Sequence, residues 1–371
     1  GELELSLQNL AVDEAAGSIQ SYQLLPKDAG GFGVAYSRGS RLFFSQIEPF
    51  SEILLFGPVS SEQETVLDYR FFTGVLQDER RFFGYYVRRE SDSYVSIVSF
   101  FMGRGDVSER RVIASGIDPV SEGYLLNKSD ATVMYVFRTE SRIIICEQLT
   151  GGIWAEARAV PISAAVESYI PVFDREVLTH TMITTVPDGT RKIVAASAEA
   201  SVTEFEVIGV ERYGEVVPYL PIGYFTLDTD GKLAFLYRDF SSVSPRFKTM
   251  MIRDSGTLDF TLGDGVWDLP DIIALTEDSL ARFEFDRDTH QFSEAVSIPI
   301  IDFFKDWENE PLDLERIGPL VIVRSETGCA YLTLDLQPHG AVRGTLLPIP
   351  SNTKDHFCLC ENDDQFTLIR F

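Results

Sequence analysis

The sequence predicts an all-β protein, and within that class a single β-propeller of four-stranded blades. Short apolar runs alternate with turns rich in Gly, Asp, Asn and Ser. These runs recur in groups of four with a period of about 40 to 55 residues, whereas solenoid repeats are shorter or helical. No linker-like stretch divides the 371 residues, so residues 1–371 are predicted to form one domain.

Four groups of strand-like runs define the repeat. The earliest full group has runs at 69–72, 81–87, 94–101 and 111–114. Three more cover 123–148, 169–198 and 223–252, with fourth runs at 154–160, 203–208 and 258–262. Shorter hairpins occur at 32–56 and begin near 272, 320 and 357. The one helical candidate is a single turn at 301–310, ended by Pro311.

These groups of runs and hairpins leave both seven and eight blades open, and seven is preferred because it is a common size. The chain opens on alternating Leu3, Leu5 and Leu7 and finishes on a strand-like run at 366–371. Pairing of these two ends within one blade would remove both free edges. Tandem β-sandwiches are the rival fold, but they would not produce a period of four strands.

Composition excludes several classes of partner. Lys plus Arg is 32 against 57 Asp plus Glu, a net charge of -25, which repels nucleic acid and anionic lipid. A basic protein surface, a cation, or a neutral glycan or peptide remains open. No apolar run of 18 residues exists to span a membrane. The fold and the start at Gly1 favour a periplasmic, secreted or cell-surface location. The protein is expected to be a monomer.

Cysteine and histidine give no reactive pattern. Cys146, Cys329, Cys358 and Cys360 lack the spacing of zinc ligands and are expected to be small core residues. His180 lies in an alternating strand and is expected to be structural.

Two segments carry a family resemblance. The sequence VPDGTRKIVAAS at 186–197 resembles the repeat of TolB-like propellers, and more loosely that of WD-repeat-like propellers, in which a tight turn precedes a small apolar strand. The sequence DTDGKLAFLY at 228–237 is a looser second copy. The resemblance implies a propeller. It leaves activity open, because TolB-like repeats occur both in partner-binding propellers and in gating domains of peptidases.

Acidic turns suggest one candidate site. The turn after the first strand of each predicted unit carries Asp or Glu, at Asp130, Asp174, Asp228, Asp230, Glu277, Asp278, Glu326, Asp363 and Asp364. On one face of a propeller these oxygens could hold calcium or a basic partner, and Asp174, Asp228 and Asp230 are the candidate ligands. The alternative is that Asp simply suits tight turns.

Aromatic side chains suggest a second candidate site on the opposite face. Tyr213, Tyr219, Trp267, Phe303 and Trp307 fall in what reads as connections between units. Trp and Tyr give a large contact area at low entropic cost, which suits a glycan or a peptide. Packing between blades is the alternative.

No motif in the chain identifies an enzyme. A G-x-S-x-G elbow, a Walker loop, a dinucleotide fingerprint and an H-E-x-x-H helix are all absent from the sequence. The favoured function is therefore a non-catalytic binding or scaffold propeller for a protein or glycan partner, without a cofactor other than calcium. The alternative is a propeller glycoside hydrolase or lyase with carboxylates in an axial pocket, whose catalytic residues the sequence does not identify.

Overall fold

The fold is an all-β propeller, described here from a computed structural model. The structure describes residues 4–6, 19–26, 32–48, 51–76, 79–102, 107–128, 132–162, 166–174, 177–197, 206–220, 222–239, 246–265, 269–300, 311–325, 328–343, 345–349, 357–362 and 365–370. These residues form eight antiparallel sheets, seven of four strands and one of five. We call them blades 1 to 8 in the order in which their first strands occur.

Blades 1 to 4 take up the first half of the chain. Blade 1 contains β2 (Ile19–Pro26), β3 (Phe32–Arg38), β4 (Arg41–Glu48) and β5 (Ser51–Pro58). Blade 2 contains β6 (Val66–Leu76), β7 (Glu79–Arg89), β8 (Val95–Met102) and β9 (Val107–Ile117). Blade 3 contains β10 (Val120–Asn127), β11 (Val133–Thr139), β12 (Arg142–Leu149), β13 (Ile153–Trp154) and β14 (Arg158–Pro161). Blade 4 contains β15 (Val166–Asp174), β16 (Val177–Thr185), β17 (Arg191–Ser197) and β18 (Glu206–Glu211).

Blades 5 to 8 complete the ring. Blade 5 contains β19 (Tyr213–Tyr219), β20 (Gly223–Asp228), β21 (Leu233–Asp239) and β22 (Arg246–Arg253). Blade 6 contains β23 (Asp259–Leu262), β24 (Ile272–Leu275), β25 (Ser279–Asp286) and β26 (Gln291–Pro299). Blade 7 contains β27 (Pro311–Ile317), β28 (Leu320–Ser325), β29 (Gly328–Thr333) and β30 (Pro338–Arg343). Blade 8 contains β31 (Thr345–Ile349), β32 (Phe357–Asn362), β33 (Gln365–Arg370) and β1 (Glu4–Ser6).

The two ends of the chain share blade 8, as the sequence predicts. Strand β1 pairs with β33 in antiparallel register, with Leu5 opposite Phe366. First strand β31 contacts β2 of blade 1 on one side and β29 of blade 7 on the other. The terminal strands therefore join the last blade to the first, and the topology supports eight blades, the larger of the two numbers that the sequence leaves open.

The repeat is confirmed for blades 2, 3 and 4, but its frame is wrong by one strand from blade 5 onward. The predicted unit at 223–252 contains the second to fourth strands of blade 5, and 258–262 contains β23, the first strand of blade 6. The sequence pattern predicts a connection in place of the first strand β19, because this strand contains Gly214 and Pro218. The predicted helical turn at 301–310 lies outside the described residues.

Proline positions in the described strands follow from strand order. Each lies on a first or a fourth strand, where one edge of the strand has no ladder partner, namely Pro26, Pro58, Pro161, Pro171, Pro218, Pro299, Pro311, Pro338 and Pro348. Proline cannot donate a backbone hydrogen bond, so a central strand excludes it. Once strand order is known, the prolines in the sequence thus mark the first and fourth strands, which are the two edges of each blade.

Apolar layers between blades form the core. The second and third strands are buried on both faces, as in β11 and β12, because each sheet packs against two neighbours. Between blades 1 and 2, Phe71 packs with Phe44 and Phe100. Further clusters join blades 2 with 3, 3 with 4, 4 with 5, 5 with 6 and 6 with 7. Among the residues described here, no helix is long and apolar enough to cross a membrane.

Polar contacts between adjacent first strands reinforce this packing. The Gln23 amide in blade 1 bridges the Phe71 backbone in blade 2, because its Nε2 donates to the Phe71 carbonyl at 2.7 Å and its Oε1 accepts from the Phe71 N–H at 2.8 Å. The Gln23 side chain thus supplies the hydrogen bonds that a neighbouring strand would give to the free edge of β6.

Replacing Gln23 should therefore weaken the ring. We expect Gln23→Ala to lower the free energy of unfolding by about 2 kcal/mol, since both backbone groups of Phe71 lose their partner. Urea unfolding followed by circular dichroism measures this loss. Gln20→Ala, at an exposed position on the same strand, is the matched control and should change stability by less than about 0.5 kcal/mol. Equal effects of the two substitutions would contradict the bridging role.

Candidate functional site

Topology places the connecting segments on two opposite faces of the ring. The upper face, as we define it, carries the turns between second and third strands and the connections between blades. The lower face carries the turns between first and second and between third and fourth strands. Contacts confirm this alternation, because Arg191 at the start of β17 donates to the carbonyl of Tyr213 at the start of β19.

The described turns of the upper face are acidic. Their exposed carboxylates are Glu62, Glu90, Asp92, Glu140, Asp188, Asp230, Asp254, Glu277 and Asp278. The cations in the same described turns are Arg212 and Lys232, and Lys232 lies 3.9 Å from Glu211. The upper face is therefore a surface of predominantly negative charge that is spread over blades 1 to 6.

The lower face differs in the same described residues. Three of its carboxylates, Asp264, Asp271 and Asp335, form ion pairs with arginine. Burial raises the pKa of Asp271 although Arg282 lies 2.7 Å away. These three carboxylates are thus neutralised by structural contacts, whereas Asp288, in the turn between β25 and β26, is exposed.

A β-bulge recurs at the mouth of the ring, by which we mean the upper-face ends of the first strands. Six first strands skip one residue of register after their first position, in β2, β6, β10, β15, β19 and β27. The residue after the skip is Ser21, Asp68, Glu122, Ser168, Glu215 or Asp313, and Asp259 begins β23 in the corresponding place. Bulges of this kind re-aim side chains at the ends of strands.

Arginines form ion pairs with several carboxylates at the starts of the first strands. Arg138 donates to Glu122 at 3.0 Å and also reaches the Val166 and Glu167 carbonyls of blade 4. Arg191 pairs with Glu167 at 2.6 Å. Arg324 pairs with Asp313 at 3.3 Å and with Glu315. These contacts tie neighbouring blades together and leave the carboxylates half-exposed.

Glu215 and Asp259 form a different arrangement, because each carboxyl group affects the pKa of the other. Asp259 also accepts from the backbone N–H groups of Phe260 at 2.7 Å and Leu314 at 2.6 Å. Burial and the neighbouring Asp259 raise the pKa of Glu215 to about 7. Burial likewise raises the pKa of Asp259, against the lowering effect of its hydrogen bonds. Both carboxyl groups are therefore shifted towards their protonated forms.

The structure separates the three predicted calcium ligands. Asp174 ends β15 opposite Val177, on the lower face, whereas Asp228 and Asp230 lie in a turn on the upper face. Asp228 accepts from the backbone N–H groups of Asp230 at 2.9 Å and Lys232 at 2.8 Å, so it stabilises its own turn. Within the described residues no group of three or more His, Cys, Asp or Glu side chains could hold a metal ion. The expectation that these three share one face is wrong, because Asp174 ends the first strand of its blade whereas Asp228 ends the second strand of its blade.

The predicted aromatic site also changes. Tyr213 is only 2% exposed and packs between blades 4 and 5, since β19 is a first strand and not a connection. Tyr219 is half-buried at the end of the same strand, 5.9 Å from the Phe225 ring. Both therefore fit the packing alternative. Trp267, Phe303 and Trp307 lie outside the described residues.

His180 and the described cysteines occupy interior positions. His180 is fully buried, and its Nδ1 lies 2.7 Å from the Tyr169 hydroxyl. Burial lowers the pKa of His180 to about 4, so the ring is neutral in the folded protein. Cys146 and Cys329 are free and buried. Burial also raises the pKa of Cys146 to about 12, which keeps it an unreactive thiol.

Comparisons with known proteins support the fold alone. No protein-family model matches the chain, and no curated protein matches it by sequence. Among solved structures, Saccharomyces cerevisiae Sqt1 is similar with a TM-score of 0.52 at 10% identity, over 96% of this chain and 97% of that one. The Dos1 propeller is similar with a TM-score of 0.48 at 8% identity, over 94% and 87%. At this low identity the similarity to Sqt1 concerns the fold alone, and the comparisons do not extend to a TolB-like family.

Proposed function

We propose that the chain is a non-catalytic binding propeller whose upper face holds a protein partner through a basic segment. The observation that carries this proposal is the run of exposed carboxylates across the upper turns of blades 1 to 6, in which Arg212 and Lys232 are the cations among the described turn residues. A basic segment would gain Coulomb attraction from several blades at once. The net charge of -25 adds a long-range attraction of the same sign.

The ring suits this role because its site is built on rigid elements. Buried strands and side chains that bridge first strands hold the turns in place, as in the contacts of Arg138 with blade 4 and Gln23 with blade 2. Loops on a rigid scaffold bind without a large cost in ordering.

Peptide binding tests this proposal. We expect a fluorescently labelled Lys/Arg-rich peptide to bind the purified chain in a fluorescence polarisation titration, with an affinity that falls as salt rises from about 50 to 300 mM, because salt screens exposed charges. An acidic peptide of equal length is the control and should not bind. Binding of both peptides, or of neither, would contradict a basic-segment site. A glycan panel run alongside tests the neutral-ligand alternative.

The hydrolase alternative is not favoured by the described carboxylates. Both carboxyl oxygens of Asp259 accept hydrogen bonds from backbone N–H groups, those of Phe260 and Leu314. Asp259 therefore serves structural contacts, which does not favour it as a nucleophile or general base.

Finer features of the expectation remain part of the proposal. The proposal also includes a periplasmic, secreted or cell-surface location and a monomeric state, with a glycan ligand and a calcium ion as alternatives. A TolB-like repeat is supported by the turns at 186–190 and 228–232. In both, the first N–H donates to the fifth carbonyl and the glycine N–H to the first carbonyl. The two turns also occupy the same place in blades 4 and 5.

A further inference from the structure

Tyr94 is the one exposed aromatic side chain among the residues whose burial the structure describes. It has 49% of its surface exposed and lies in the upper-face turn between β7 and β8, the second and third strands of blade 2. The other aromatic side chains that the structure describes are buried or half-buried. A ring left in water contributes little to the stability of the fold, and its face is free to contact a ligand.

Hydrogen bonds hold the turn that carries Tyr94 in one shape. The Tyr94 carbonyl accepts from the N–H groups of Glu90 at 3.0 Å and Ser91 at 3.2 Å, and the Ser91 hydroxyl accepts from the Tyr94 N–H at 3.2 Å. The Glu90 carboxylate accepts from the Gly116 N–H at 2.9 Å and from the Ser96 hydroxyl, which joins the turn to β9 and β8. These bonds use the backbone of Tyr94 and not its ring. The ring is therefore presented on a preorganised turn, which lowers the entropic cost of binding.

A second exposed apolar side chain lies at the same end of blade 2. Leu67 is 45% exposed and is the residue that the register of β6 against β7 skips. Strand β7 lies between β6 and β8, so Leu67 and the Tyr94 turn belong to neighbouring strand ends. Blade 2 therefore presents apolar surface at its upper end, within an acidic face. This combination suits a side chain with an apolar stem and a charged head.

Charge near Tyr94 attracts a cation without selecting which one. Glu90 and the exposed Asp92 lie in the Tyr94 turn, and the exposed Arg89 ends β7 beside it. Residues 89–94 thus carry an excess of a single negative charge, to which Lys and Arg respond alike. An aromatic ring does distinguish them, because the planar guanidinium of Arg is less strongly hydrated than an ammonium and stacks better on the ring face.

We propose that Tyr94 is the arginine-binding position of the upper face, where the guanidinium of an Arg in the basic partner segment stacks on the Tyr94 ring. Asp92 adds charge attraction, and Leu67 extends the apolar surface at the same end of the blade. This inference rests on the proposed function and specifies a residue that the partner must carry. The acidic turns of the other blades attract either cation, whereas Tyr94 supplies the selectivity for Arg.

Two peptides of equal length and charge test this position, one with Arg and the other with Lys as its basic residue. In fluorescence polarisation titrations at about 150 mM salt, we expect the original protein to bind the Arg peptide about two- to fivefold more tightly, the range of an exposed cation–π contact. Tyr94→Phe should keep this preference. Tyr94→Leu, which retains an apolar side chain without a ring, should abolish it. Ile153→Ala, at a position 57% exposed on the lower face, is the matched control and should leave both affinities unchanged.

The outcomes separate this inference from the proposed function. Equal binding of the two peptides by the original protein would overturn the arginine position and leave a basic-segment site intact. An Arg preference that survives Tyr94→Leu would do the same, because bidentate pairing with carboxylates would then account for it. Binding of neither peptide would overturn both proposals.

Hydroxyl-radical footprinting locates the contact without a variant. A saturating concentration of the Arg peptide should reduce the oxidation of Tyr94 in the original protein, because the bound guanidinium covers the ring. Unchanged oxidation of Tyr94 would also overturn the arginine position.

Discussion

Phe71→Ala should lower the free energy of unfolding by about 3 to 5 kcal/mol, because it empties the centre of the layer between blades 1 and 2. The Phe71 ring is fully buried, stacked 5.4 Å from Phe44 and tilted 4.6 Å from Phe100. Its backbone also receives the Gln23 bridge, so the residue connects the two blades through both its side chain and its main chain.

Urea or guanidinium unfolding measures this effect. Leu67→Ala is the matched control, since Leu67 lies on the same strand with 45% of its surface exposed and should cost less than about 0.5 kcal/mol. A small loss for Phe71→Ala, similar to that of the control, would mean that blades 1 and 2 do not pack through this layer.

Acid should destabilise the protein through His180. The pKa of His180 is about 4 in the folded state and near 6.5 in the unfolded chain. As the pH falls below 6.5 the unfolded chain binds a proton that the folded protein excludes. Stability is therefore lost progressively down to about pH 4, by a total of about 3 kcal/mol.

A variant isolates this contribution from that of other titrating groups. His180→Phe should lose about 1 kcal/mol at pH 7.5, because the Tyr169 hydroxyl loses its acceptor. Its stability should then fall less steeply than that of the original protein between pH 6.5 and 4.5. His339→Asn, at an exposed position on β30, is the control and should keep the original slope. An unchanged slope for His180→Phe would show that His180 is protonated in the fold.

Sequence pattern predicts the architecture well where strands are apolar and turns are polar. The sequence therefore predicts the strands of blades 2, 3 and 4 correctly. The pairing of the chain ends follows from the alternation around Leu5 and from the apolar run at the C-terminus. The burial and structural role expected of His180 are also confirmed. Pattern fails at β19, because Gly214 and Pro218 resemble a loop although a first strand tolerates both at its free edge.

The candidate site was harder to predict because it depends on which turns share a face. A shift of one strand moves every later turn to the other side of the ring, and this separates Asp174 from Asp228 and places Tyr213 in the core. No simple local signal marks these positions. An acidic residue precedes an aromatic one near the start of first strands in Asp68-Tyr69 and Asp259-Phe260, but the same pair occurs in Glu284-Phe285 within the third strand β25. The hydrogen bond from the Leu314 N–H to Asp259 depends on packing between blades and has no local signature.

Reversing charge on one face at a time tests the proposed binding surface most directly. Asp254→Lys with Glu277→Lys changes the upper face near blade 6, whereas Asp288→Lys with Glu294→Lys changes exposed positions of blade 6 away from that face by the same net charge. In a fluorescence polarisation titration with the basic peptide, the upper-face variant should bind at least about tenfold more weakly, equivalent to about 1.4 kcal/mol. The other variant should bind within about twofold of the original protein. Equal weakening by both variants would show that only net charge attracts the peptide, and it would contradict a binding site on the upper face.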